Sequence, residues 1–141
     1  MAEIINLQRK IKINRRPFAS FLRSVVAEIP EAEAKTFSVA FISDKRMKQL
    51  NELFRGKSST TDVLSFPHEP DQFDTDRDNL GDIVISAECA QQQAEENGLS
   101  LEVELKQLIL HGLLHLCGMD HETDNGEMDR RELRLRKSLR I

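Results

Sequence analysis

SLEVELKQLILHGLLHLCGMDH, residues 100–121, is the stretch on which the reading of this chain turns. From Ser100 to Cys117 it reads as a helix with Ser100 as its cap. Between Leu108 and Cys117 almost every residue but two histidines is apolar, so the helix is expected to be buried. His111 and His115 are four apart and project from one face about one turn apart. Gly118 sits where a helix commonly stops, because glycine takes the left-handed conformation that reverses the chain, and the return carries His121 back toward the same point. Three of the chain's four histidines therefore converge. Imidazoles left unpartnered in apolar surroundings would cost free energy, and a shared metal ion removes that cost. The competing reading makes each histidine an ordinary core residue hydrogen-bonded to a carbonyl.

The spacing favours the metal. Histidines at the first, fifth and eleventh places with glycine at the eighth resemble the helix pattern of the metzincin zinc proteases. Those proteases carry a glutamate directly after the first histidine as general base, and here that place is Gly112, which disfavours their mechanism. Glycine inside a helix costs about 1 kcal/mol relative to alanine. Gly112 thus signals either room for substrate over the metal or tight contact with a neighbouring strand or helix. Cys117 is a poor fourth ligand, since adjacent helical residues point apart.

Outward from this stretch the chain reads as one domain, residues 1–141. Ile4–Ile13 alternates as a first strand, and Pro17–Ile29 is a helix with Phe18, Phe21, Leu22, Val25, Val26 and Ile29 facing a core. Thr36–Ile42 is a strand, after which Ser43 or Asp44 caps a helix ending at Gly56. A strand begins at Val63 and is closed by Pro67. His68–Asn79 is polar and aperiodic, an exposed mobile loop in which His68 is expected to be solvated. Leu80–Ser86 reads as a strand antiparallel to Val63–Phe66, followed by a helix from Ala87 to Asn97. A last helix, about Gly126 to Leu139, packs weakly through Met128, Leu133, Leu135 and Leu139 with its arginines in water. Helices and strands intermix without a long βα repeat, so the fold class is α+β: a single domain with a small mixed sheet of about four strands covered by helices.

A length of 141 residues with 39% hydrophobic content supports one core. There is no apolar run long enough to cross a bilayer and no secretion-signal layout at the N-terminus, which points to a cytoplasmic protein. Two cysteines, Cys89 and Cys117, are too few for a disulfide scaffold and suit small buried thiols. Formal net charge is −4, against indiscriminate nucleic-acid binding. Basic residues nevertheless gather at Arg9–Arg16, at Lys45, Arg46, Lys48, Arg55 and Lys57, and at Arg130–Arg140. Such runs are a nucleic-acid footprint only if they share a surface.

Three blocks, HGLLHLCGMDH at 111–121, NELFRGKSSTTDVLSFP at 51–67 and LGDIVIS at 80–86, together resemble the YbeY family of bacterial rRNA maturation factors and metal-dependent endoribonucleases. Many relatives have proline where this chain has Thr60. The resemblance implies that His111, His115 and His121 hold one zinc ion, with water completing its coordination, and that Arg55 lines the same cleft. It further implies action on single-stranded RNA at the 3′ end of small-subunit rRNA, a role in ribosome quality control, and the ribosome or its proteins as partners, with no membrane involved.

The residues are compatible with that chemistry. Three neutral imidazoles leave the full charge on a divalent ion, which attracts a phosphodiester, while Arg55 offers planar donors to phosphate charge. The alternative for Arg55 is a surface ion pair with an acidic neighbour. Asp120 and Glu122 flank the third histidine and are candidates for the general base or for orienting a ligand imidazole. Asp62 and Asp82 are open candidates that equally suit turns or caps. Two rival functions remain: a non-catalytic ribosome-associated factor with a structural zinc, and a metal hydrolase of another class such as a peptidase.

Overall fold

The alternation of buried and half-exposed residues along Thr36–Ile42 divides the molecule into layers. Phe37, Val39 and Phe41 point into one core, while Ile42 points into another on the opposite face. A computed structural model describes residues 2–141. Its elements are β1 (Ala2–Asn6), α1 (Arg16–Glu28), a 3-10 turn (Pro30–Ala32), β2 (Thr36–Ile42), α2 (Asp44–Arg55), β3 (Val63–Pro67), β4 (Asn79–Ser86), α3 (Ala87–Glu96), α4 (Leu101–Leu116) and α5 (Glu127–Leu139).

The sheet has the order β1-β2-β4-β3. Strands β1, β2 and β4 run parallel, and β3 pairs antiparallel to β4 with Ser65 opposite Ile83. This is the expected α+β domain with a four-stranded mixed sheet. The larger core lies between the sheet and helices α1 and α4 and includes Phe18, Val25, Ile83, Ile85, Ile109 and Leu113. The smaller one, under α2, joins Met47 to Ile42, Leu64 and Val84, with Phe66 packed against it. No helix is long and apolar enough to cross a membrane among the described residues.

Several boundaries differ from expectation for local reasons. β1 ends at Asn6 rather than Ile13. The Gln8 side chain donates to Asn6 Oδ1 and to the Ile11 carbonyl at 2.8 Å, and accepts from the Ile11 N–H at 2.9 Å, so a side-chain network replaces the ladder. α1 is displaced by one residue from Pro17–Ile29, with Pro17 still in its first turn. α3 stops at Glu96, one residue short of Asn97. His68 is half-buried rather than freely solvated, with its Nε2 2.6 Å from Asp74 Oδ2.

The last helix departs most from expectation. α5 buries Met128, Glu132 and Leu135 and leaves Leu133 63% exposed. Its start is organised by Asp124, whose carboxylate accepts the Gly126 and Met128 N–H groups, both at 2.9 Å. Two of its arginines turn inward: Arg131 makes a bidentate pair with Glu31 at 2.5 and 2.7 Å, and Arg136 reaches Glu132 at 2.6 Å. The Arg131 hydrogen bonds and charge hold the Glu31 carboxyl down at about 2. The pair ties the 3-10 turn to α5 and fixes which face of the helix meets the core.

α4 crosses the sheet at its closest approach through Gly112. A Cβ built there would lie 2.7 Å from Ile83 Cγ2 and 3.1 Å from Ser65 Oγ. The Ser65 hydroxyl donates to the Gly112 carbonyl at 3.2 Å. Of the two readings of Gly112, tight contact with neighbouring strands is the one observed. At its far end α4 closes with Gly118 at φ 96°. The Gly118 N–H donates to the His115 carbonyl at 3.0 Å and the Met119 N–H to the Leu114 carbonyl at 3.1 Å, the paired bonds of a Schellman stop.

Gly112→Ala should therefore destabilise by about 1–3 kcal/mol through overpacking, although alanine is the better helix former. Denaturant unfolding of Gly112→Ala, Ile83→Ala and the double variant checks this, and the double should lose less than the sum of the singles. A gain in stability from Gly112→Ala alone would rule out the close contact. Glu31→Gln should lower stability at neutral pH. Because the folded carboxyl is held below its ordinary 4.5, the wild-type advantage is present above that value and fades as pH falls through it toward about 2. Thermal melts of both proteins across that window should converge at its acid end.

Candidate metal centre and its cleft

His111 and His115 leave the last two turns of α4 on the flank facing β3, and the Schellman turn brings His121 back over them. The ring centroids lie 4.8 Å apart for His111 and His115, 5.1 Å for His111 and His121, and 5.0 Å for His115 and His121. One ligand nitrogen from each ring lies within 4.8 Å of the other two. The only bond between these rings is a 3.1 Å contact of His121 Nδ1 with His115 Nε2. Burial first, then the two neighbouring imidazoles, hold the His115 pKa below its ordinary value, so that ring is neutral with a lone pair to offer.

The carboxylate that orients this site is Glu132 of α5, rather than Asp120 or Glu122. Its Oε1 lies 2.6 Å from His111 Nδ1, and its Oε2 accepts from Arg136. A carboxylate only accepts, so Nδ1 carries the proton and Nε2 of His111 is left with its lone pair directed at the other rings. Glu132 is 8% exposed. Burial alone would raise its pKa, but the hydrogen bonds from His111 and Arg136 and the Arg136 charge outweigh that and keep it low. A directed, partly buried tripod of imidazole nitrogens with a carboxylate behind one of them fits a divalent metal ion. The three histidines are the group of His, Cys, Asp or Glu side chains placed to hold one among the described residues.

The reading of residues 100–121 missed Glu132, which stands 21 positions beyond His111. A signal was present: Glu132 falls between Met128 and Leu135 at helical spacing, on the inward stripe of α5.

The centre opens into a cleft of about 540 Å³ bounded by β3 and by Arg55, Asp62, Asp120 and Glu122. Arg55 closes the last turn of α2, where Gly56 takes φ 66° and turns the chain away. Its side chain is exposed and has no ion pair among the described residues, so the surface-pair reading of Arg55 does not hold. Asp120 is exposed at the cleft. Its Oδ1 accepts the Glu122 N–H at 3.0 Å and its carbonyl accepts the Asp124 N–H at 3.1 Å, so it also shapes the turn that carries His121.

The remaining candidates have structural partners. Asp62 Oδ1 accepts the Val63 N–H at 2.8 Å and starts β3, although the residue still borders the cleft. Asp82 takes the Ser38 hydroxyl across the β2–β4 pair. Cys117 lies near Glu31 and Arg131, and burial, then the Glu31 charge, push its thiol up to about 11. Thr60 gives its hydroxyl to Asp44 at the start of α2. Asn51 Nδ2 donates to the Ser59 carbonyl at 2.7 Å. Together these bonds pin the loop between Arg55 and Asp62.

Comparisons with known proteins point to one family. A family model described as Endoribonuclease YbeY matches residues 3–140. A Nautilia profundicola protein of that description is 47% identical over 109 residues, covering 76% of this chain and 74% of its own. One from Alkaliphilus metalliredigens is 38% identical over 140 residues, covering 92% and 88%. A solution structure from Thermotoga maritima superposes with a TM-score of 0.68 at 27% identity, over 99% of this chain and 89% of that one.

Glu132→Gln should keep the fold and weaken metal binding about 10- to 100-fold, because the amide cannot hold the His111 proton as the carboxylate does. Competition against a chromophoric chelator measures it. Unchanged affinity would mean that Glu132 serves α5 alone.

Proposed function

The chain belongs to the endoribonuclease YbeY family, and on that premise we propose that it is a zinc-dependent endoribonuclease cutting single-stranded RNA. Its place is in maturation of the small-subunit rRNA 3′ end and in ribosome quality control, as a cytoplasmic protein working with the ribosome. The single domain, residues 1–141, carries the whole site. The observation that supports this most strongly is an arginine free of ion pairs, Arg55, sharing one cleft with three convergent imidazoles.

His111, His115 and His121 would hold the ion, and an all-nitrogen set suits zinc among the metals such a site takes. Bound there, zinc supplies Lewis acidity toward a phosphoryl oxygen and toward water. The chain's own groups do the rest. Glu132 keeps His111 in one tautomer and one orientation. Arg55 meets the phosphodiester with planar donors and stabilises the charge that builds on its oxygens. Asp120 has one carboxylate oxygen held by the Glu122 N–H, which leaves the other to take a proton from attacking water.

The rival functions find less support. Where the metalloproteases have their glutamate this chain has Gly112, packed against Ile83 with no space for a carboxylate. A structural zinc site would need a fourth protein ligand, and among the described residues no fourth His, Cys, Asp or Glu joins the group.

Wild type, His115→Ala and Arg55→Ala, each with its metal content measured, should be compared on a single-stranded RNA carrying the small-subunit 3′ end. His115→Ala should lose both metal and cleavage. Arg55→Ala should keep its metal and lose about 10²–10³ in kcat. Equal cutting by all three would assign the activity to a contaminant and favour the non-catalytic factor.

A further inference from the structure

The end of α2 exposes apolar and basic groups that the cleft does not use. Leu53 is 74% exposed and Phe54 60% exposed. Phe54 meets Phe66 of β3 with ring centroids 5.1 Å apart at 69°, so the aromatic pair stands at the sheet's edge. Lys45, Arg46, Lys48, Arg55 and Lys57 are all exposed and make no ion pair among the described residues, in a chain whose net charge is −4. Lys48 and Arg55 are seven apart, hence on one stripe of the helix about 10 Å long. Glu52 lies between them and Asp44 one turn before Lys48, so that Arg55 and Lys57 are the cations nearest the cleft. α2 packs on the face of the sheet opposite α4, because Leu64 and Phe66 point toward it while Ser65 points toward Gly112. Arg55 alone belongs to both the basic stripe and the metal cleft.

β3 is an edge strand, so nothing in the sheet separates the two faces beyond it. We propose that single-stranded RNA leaves the metal cleft across the open edge of β3, stacks a nucleobase on Phe54, and lays its phosphates along Lys48, Arg55 and Lys57. This deepens the nuclease reading and rests on it. Unpaired cations beside an exposed aromatic ring are the combination that binds a single strand without reading its sequence. A duplex keeps its bases stacked inside and has none to offer Phe54, so this tract selects for unpaired RNA.

The chain contains no tryptophan or tyrosine, so Phe54→Trp introduces its sole indole. The holoprotein and its variants should be mixed with an end-labelled, unstructured RNA oligonucleotide in a stopped-flow instrument, ahead of turnover. Phe54→Leu retains an apolar contact for Phe66 but loses the aromatic face, and should weaken binding about tenfold. Phe54→Trp should bind as wild type, with indole emission quenched by the single strand and unaffected by a duplex of the same sequence. Lys48→Gln should reduce the slope of log affinity against log salt by about 0.7. Phe54→Leu and Lys48→Gln matching wild type, with indole emission unmoved by bound RNA, would overturn the tract while leaving the nuclease reading in place. RNA neither bound nor cut by wild type would overturn both. Loss of a dimer in sedimentation on Phe54→Leu, with RNA affinity unchanged, would make the face a contact between copies and overturn the tract.

Discussion

The missing side chain at Gly112 is the constraint from which the site follows. α4 meets β4 and β3 at a distance where a larger residue would force its neighbours to shift, with the Ile83 side chain filling the space where a Cβ would stand. That contact sets both the height of the helix over the sheet and its rotation. Once the rotation is set, His111 and His115 face the β3 edge and not the core, and the turn at Gly118 has one place to deliver His121. The helix-propensity loss at glycine, about 1 kcal/mol, is offset by packing against a fully buried isoleucine.

A second contact, between Glu132 and His111, joins this arrangement to the rest of the molecule. Burying a carboxylate is costly unless it is paired, and Glu132 is paired on both sides, by an imidazole and by Arg136. The Glu31–Arg131 pair fixes α5 from its other flank. The orientation of His111 is therefore inseparable from the docking of a helix that contributes none of the three imidazoles.

What was legible in the sequence followed from local rules. Period and capping located α2 and α4 to within a residue, through Ser43, Gly56 and Ser100, and the histidine spacing anticipated the tripod. Residues whose partners lie far along the chain were not legible. Helical spacing could place Glu132 on the inward stripe of α5 without naming its partner, and the arginines of that helix were expected in water, because nothing near them in sequence reveals Glu31 or His111. Gly112 announced a close approach but not to what. Leu133 was assigned to the core by its type, yet α5 is held by Met128 and Leu135, and Leu133 falls on the outer face. At β1 the Gln8 network ended a strand that alternation alone would have extended.

The reach from His111 to Glu132 also bears on the order of events during synthesis. A chain leaves the ribosome from its N-terminus, so the three imidazoles emerge before the carboxylate that aligns the first of them. Until α5 has followed and docked, His111 is free to turn and to change tautomer, and the tripod is only an average over orientations. A metal ion taken by this tripod would therefore be held best only once the fold is complete. A nascent or C-terminally clipped chain carries all three imidazoles and still lacks the contact that aligns the first of them.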